Sequence, residues 1–118
     1  MARPHPWEAV YPPGLDWGAP IRTTALGALL EEGAAAWPDR VALRYRDTAI
    51  TYPQLLSMAR RVAGVLAALP EAKDGVALLT GNTAFHPVVV LGAAMAGLRV
   101  LMLSPIDAPR TIAHKLRD

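Results

Sequence analysis

Two periodicities of apolar and polar positions run along the chain, and the points where one gives way to the other mark out its elements. In TALGALLEEGAAAWPD, Leu26, Leu29, Leu30, Ala34 and Trp37 recur at helical spacing. That pattern predicts a short amphipathic helix, with Thr24 or Thr23 as its cap and Pro38 as its stop. VALRYR (41–46) instead alternates apolar with charged side chains, Asp47 and Thr48 supply a tight turn, and AIT follows. This reads as a β-hairpin with one solvated face. Thr51 with Gln54 three residues on forms a T-x-x-Q capping box, and Pro53 is tolerated in a first helical turn. A helix is therefore expected from there to about Leu69, with Leu55, Met58, Ala59, Val62, Val65, Leu66 and Leu69 inward and Gln54, Arg60 and Arg61 outward.

After a turn at 70–75, GVALLT (75–80) is a short apolar run suited to a strand covered on both faces. NTAFHPVVVLGAAMAG (82–97) follows, with Asn82 or Thr83 as cap, Pro87 near the start and Gly97 as the stop. Its uninterrupted apolar run, Pro87 to Leu98, is shorter than the about 20 residues that cross a bilayer, so a buried helix of a globular protein fits better. RVLMLS (99–104) reads as a second buried strand ended by Pro105, and 108–118 as a final amphipathic helix. The predicted fold class is α/β: helix, β-hairpin and helix, then βαβα crossover units with parallel strands.

Residues 1–23 have neither period. They hold five of the eleven prolines and two of the three tryptophans, and form an extended arm that Trp7, Tyr11 and Trp17 can anchor on the body. The expected organisation is thus an arm over 1–23 and an α/β subdomain over 24–118.

Composition narrows the functions. With 118 residues, 53% of them hydrophobic, one modest core is expected. The net charge of +2 comes from twelve Lys and Arg scattered against ten Asp and Glu, which is no basic stripe, so nucleic acid is not an expected partner. The absence of Cys removes thiolate nucleophiles and Cys-based zinc sites, and MARPHPWEAV carries no apolar stretch of signal-peptide length. A cytoplasmic location without a transmembrane segment is expected.

Candidate chemistry is sparse. His5, His86 and His114 lack metal-ligand spacing. Ser57 and Ser104 lack a G-x-S-x-G frame, and Gly81, Gly92 and Gly97 belong to no phosphate-binding pattern. Gly92 reads as a close-packing position. Arg60 and Arg61 read as a solvated face, and Lys73 and Lys115 as turn and helix residues. No catalytic, cofactor-binding or metal-binding residue is therefore assigned.

The order of landmarks carries more. Pro38 and Asp39, a strand, Thr51 and Tyr52 opening a long helix, and another strand come first. Asn82, an apolar helix with Gly92, Ala96 and Gly97, a strand ending at Pro105, and a helix ending at Asp118 complete the series. In this register the chain from about residue 24 resembles the beginning of adenylate-forming acyl-CoA synthetases, the family shared with luciferases and peptide-synthetase adenylation domains. The arm, HPWEAVYPPGLDW, is similar to the lead-in of long-chain fatty acid CoA ligases. Phe85 and His86 stand where the family often has Glu-Phe, Ser104 where it often has Asn, and Thr111 where it often has Glu.

The resemblance implies a truncated part of a larger N-terminal domain, whose parent uses ATP, magnesium and CoA to convert a carboxylic acid to an acyl adenylate and then a thioester. The family's Ser/Thr/Gly-rich phosphate loop and C-terminal lysine would lie beyond Asp118, so the 118 residues are expected to bind no cofactor and to be inactive alone. The expected partners are the remainder of the parent chain and, through exposed sheet, a second copy. Three alternatives stand beside this: a standalone interaction module without chemistry, a complete small α/β enzyme, and the N-terminal part of another adenylating enzyme, for short-chain or aromatic acids or for peptide synthesis.

Overall fold

The computed structural model describes residues 5–117. Along them run a 3-10 turn (Pro6–Val10), α1 (Leu26–Ala36), β1 (Val41–Tyr45), β2 (Thr48–Thr51), α2 (Tyr52–Ala67), β3 (Gly75–Leu79), α3 (Phe85–Met95), β4 (Arg99–Leu103) and α4 (Pro109–Lys115). The order is the predicted one: helix, antiparallel hairpin, helix, then a βαβα run whose β3 and β4 are parallel in the register Gly75 to Arg99 through Leu79 to Leu103. Asp118, the expected end of the last helix, lies outside the described residues.

Local chemistry explains the well-defined ends. The capping box forms as predicted: the Thr51 N–H donates to Gln54 Oε1 at 2.8 Å, and the Gln54 N–H donates to Thr51 Oγ1 at 3.5 Å. At the far end of α3, Gly97 takes a left-handed φ of 74°. The Leu98 N–H then reaches Ala93 O at 2.9 Å and the Gly97 N–H reaches Ala94 O at 3.1 Å, the paired bonds of a Schellman ending.

Other ends depart from expectation. α1 is capped by Ala25 rather than Thr23 or Thr24, and α3 by Ala84 rather than Asn82 or Thr83, neither with a side-chain bond. Backbone carbonyls take over, Ala25 O accepting from Ala28 and Thr83 O from His86. The hairpin turn is Arg46–Asp47, with Thr48 already in β2, and Arg46 holds a left-handed φ of 51°. The arm is not extended throughout, because Pro6 starts a 3-10 turn stapled by the Glu8 carboxylate on the His5 N–H at 2.9 Å.

The core lies where α2 crosses α3 under α1 and the hairpin. Leu30, Ile50, Leu55, Ala59 and Val88 form one buried cluster, flanked by Val62, Leu91 and Met95. Burying each large aliphatic side chain there contributes about 1.5–3 kcal/mol. Gly92 lets the two helices close, since a Cβ on it would sit 2.6 Å from Val62 Cβ and 2.8 Å from Ala59 O. α1 uses the same device. Its buried positions are Gly27, Leu30, Gly33 and Ala34, against Met95 and Tyr52, whereas Leu26, Leu29 and Trp37 of the predicted face remain exposed.

The parallel strands are not covered on both faces as expected. Among the described elements, β3 touches β4 and α3, and β4 touches β3, α3 and α4. Leu79 (53% exposed), Leu101 and Met102 therefore face outward. α3 is likewise lined by Val88, Gly92 and Ala93 on its buried side only, with Phe85 exposed. Tyr11 and Trp17 meet edge to face at 5.2 Å and His5 stacks on Trp7 at 4.4 Å, so the arm's aromatic contacts lie within the arm rather than on the body. Its tie to α1 is the Arg22–Glu32 ion pair. The described residues of the arm are exposed, Glu8 apart, and the radius of gyration of 18.5 Å is well above the about 13 Å of a compact chain of this length. No helix among the described residues is long and apolar enough to cross a membrane.

Candidate functional site

Ligands of open α/β sheets bind outside the carboxyl ends of parallel strands, where the loops that follow them diverge. Here those loops are 80–84, leading from β3 into α3, and 104–108, leading from β4 into α4. Between them lies an open crevice of about 480 Å³ lined by Thr80, Asn82, His86, Ser104, Asp107 and Lys115. Its polar groups are largely satisfied by one another. Lys115 Nζ donates to Asp107 Oδ2 at 2.6 Å, Thr80 Oγ1 donates to Gly81 O at 2.8 Å, and Ser104 Oγ accepts the Ile106 N–H at 3.4 Å. His86 Nδ1, in the first turn of α3, is buried without a hydrogen-bond partner.

A larger hollow of about 700 Å³ lies between the hairpin and the helices, lined by Tyr45, Ile50, Gln54, Ser57, Met58 and Phe85 among others. Its walls are mainly apolar.

The three histidines fall on separate elements: His5 before the 3-10 turn, His86 in α3 and His114 in α4. Among the described residues no group of three or more His, Asp or Glu side chains could hold a metal ion. Ser57 is exposed on α2, and Lys73 is exposed in the turn before β3.

Pairings across elements were missed by reading spacing alone. Arg60, expected on a solvated face, donates to Glu31 of α1 at 2.8 Å. Arg22 holds Glu32 through both guanidinium nitrogens, one at 2.9 Å. That bond pulls the Glu32 carboxyl below its ordinary range and raises Arg22. For Arg60 and Glu31 the signal was the opposite charges on α2 and α1, but it needed the contact between those helices to be read.

The fold is shared with the N-terminal subdomains of adenylation enzymes. The chain superposes on the N-terminal subdomain of NpsA from Klebsiella oxytoca with a TM-score of 0.76 at 24% identity, covering 80% of this chain and 25% of that one. Residues 30–118 match the family described as AMP-binding enzyme. The chain belongs to that family. Among its relatives, N-(5-amino-5-carboxypentanoyl)-L-cysteinyl-D-valine synthase of Amycolatopsis lactamdurans is 35% identical over 103 residues, 86% of this chain and 3% of the synthase. The long-chain-fatty-acid–CoA ligase of Bacillus subtilis is 27% identical over 119 aligned positions, 100% of this chain and 21% of the ligase. The chain therefore spans about a fifth or less of the curated relatives it matches.

Proposed function

We propose that this chain is the N-terminal part of a fatty acid CoA ligase, which activates a carboxylic acid with ATP and passes the acyl group to the thiol of CoA. Family membership supports adenylate-forming chemistry. The fatty acid branch is supported by one observation: the Bacillus ligase aligns along the whole chain, arm included, whereas the Amycolatopsis synthase aligns over 86% of it.

The chemistry follows from electronics. A carboxylate is a poor electrophile. Its attack on the α-phosphate of ATP expels pyrophosphate and leaves an acyl adenylate, from which a thiolate displaces AMP. Magnesium would accompany the nucleotide, and the 118 residues are proposed to frame the enzyme rather than perform either step. The remainder of the enzyme is the proposed partner, with self-association of the isolated chain through its uncovered sheet, and the cytoplasm is the proposed compartment. The arm over 1–23 and the body over 24–118 are proposed as separate units. Limited proteolysis should trim the arm and leave the body.

The test is ATP–pyrophosphate exchange on the polypeptide the gene encodes, with fatty acids of increasing length against a panel of amino acids. Exchange with fatty acids alone is expected. Exchange with amino acids alone would transfer the chain to the second reading, a peptide-synthetase adenylation domain, which the higher identity to the Amycolatopsis synthase favours. Exchange catalysed by the 118 residues by themselves would overturn their assignment to the frame.

A further inference from the structure

β3 and β4 are parallel neighbours joined through α3, and the two faces of their sheet are covered by different helices. Among the described elements, α3 is the one helix that touches β3. Val76 and Leu78 are half-buried while Gly75, Ala77 and Leu79 are exposed, so α3 covers the Val76 face. The register puts Val100 on that face too, and Leu101 and Leu103 on the other, beside Ala77 and Leu79. Leu103 is nevertheless buried, at 5% exposure. α4 touches β4 but neither β3 nor α3, so the helix over Leu103 is α4, on the face opposite α3. Handedness then decides where the sheet continues. A strand, a helix and a second parallel strand in one sheet wind right-handed in about 98% of cases. With α3 on one face the chain steps from β3 to β4; with α4 on the opposite face the same hand carries it back the other way. The slot beside β4 in that direction is filled by β3, so the next parallel strand falls on the outer edge of β3.

We propose that the outer edge of β3 receives the first parallel strand that follows α4 in the enzyme, giving the order β4, β3, added strand. This rests on the reading of the remainder of the enzyme as the partner, and it is independent of the substrate. The chain spans about a fifth or less of the relatives it matches, which leaves ample sequence to supply the strand. β3 suits an inner position: Gly75–Leu79 is apolar throughout and free of proline, whereas β4 begins with the charge of Arg99. Charges are among the devices that keep an outer strand from pairing further. The hydrogen-bond pattern identifies the groups that the added strand meets. The Arg99 N–H donates to Asp74 O at 3.3 Å. In a parallel ladder of this register the even residues of β3 therefore bond β4, and the N–H groups of Gly75, Ala77 and Leu79 point outward. On β4 the outward N–H groups are those of Val100 and Met102.

The test is made on the polypeptide the gene encodes. Hydrogen exchange resolved to single amides should find Ala77 and Leu79 at least about tenfold slower than Met102, because their N–H groups are bonded to the added strand while that of Met102 lies on the free edge. Proline at an outward position removes one N–H without taking a bond from the β3–β4 ladder. Ala77→Pro should therefore lower the thermal unfolding midpoint by about 2 °C or more beyond the loss caused by Met102→Pro. Should Ala77→Pro fail to accumulate as folded protein, the hydrogen-exchange comparison decides alone. An Ala77 amide no slower than that of Met102 would overturn the proposal, and a slow Met102 beside a fast Ala77 would move the added strand to β4. A Met102→Pro loss equal to or above that of Ala77→Pro would also overturn it. ATP–pyrophosphate exchange reads catalysis and is blind to strand order, so either idea can fail without the other.

Discussion

Replacing Gly92 by alanine adds one methyl group where α2 and α3 cross. On an exposed helix this change is favourable, by about 1 kcal/mol of helix propensity. Here the new Cβ would lie 2.6 Å from Val62 Cβ and Cγ1 and 2.8 Å from Ala59 O, against about 3.5–4.0 Å for carbon atoms in contact. Rotating Val62 moves Cγ1 but cannot clear its Cβ, and Ala59 O belongs to the backbone. The helices must therefore separate, loosening Leu55, Ala59 and Val88 beneath them. Overpacking of this kind costs about 1–3 kcal/mol, and the loosened core adds to it. The net expectation is a loss of about 1–2 kcal/mol. Gly64, also inside a helix, has nothing within 4 Å of a built Cβ, so Gly64→Ala should raise stability by about 0.5–1 kcal/mol. Urea unfolding followed by far-UV circular dichroism reads both as shifts of the midpoint, by roughly half to one molar and in opposite directions. A Gly92→Ala midpoint at or above the parent's would refute the close crossing.

Three further outcomes can be checked. Thr51→Ala or Gln54→Ala should each cost about 1 kcal/mol in the same unfolding assay, and the double variant less than the sum, because the two bonds cap one helix end reciprocally. Arg46→Gly should be neutral or gain up to about 1 kcal/mol: it relieves a left-handed backbone but loses the guanidinium 5.3 Å from the Tyr45 ring. Arg46→Ala keeps the strain, loses that contact, and should fall below the parent. NMR titration of the Glu32 carboxyl should give a midpoint below that of an ordinary glutamate, moved upward by Arg22→Gln and by added salt. Because the folded-state value is the lowered one, any stability the pair contributes is present at neutral pH and is lost as pH falls through that midpoint.

Much of the architecture was legible because it is written in local chemistry. The Thr51 and Gln54 box, the change of period at residues 41–51 and Gly97 act within a few residues of themselves, so the order of elements followed. Two caps were not legible: Ala25 and Ala84 offer no side chain to recognise, and the nearby Thr24 and Asn82 looked better suited. The α1 face was misplaced for a related reason. Gly27 and Gly33 count for nothing in a hydrophobic pattern, yet they share a face with Leu30 and Ala34 and admit Met95 and Tyr52 where Leu26 and Leu29 cannot.

The exposure of β3 and β4 was hidden at a deeper level. An apolar strand records what it can be buried against, not whether that partner belongs to the same stretch of chain. Val76, Leu78 and Val100 are half-buried, while Ala77, Leu79 and Leu101 are exposed on strands of the same composition. The difference is set by α3 and α4, which touch only part of the sheet. The candidate site has the same logic. Lys115 and Asp107 pair in the crevice at 2.6 Å, and spacing along the chain could not show it. A strand whose apolar pattern exceeds its coverage, beside a Lys–Asp pair closed on itself, supports the framing role proposed above.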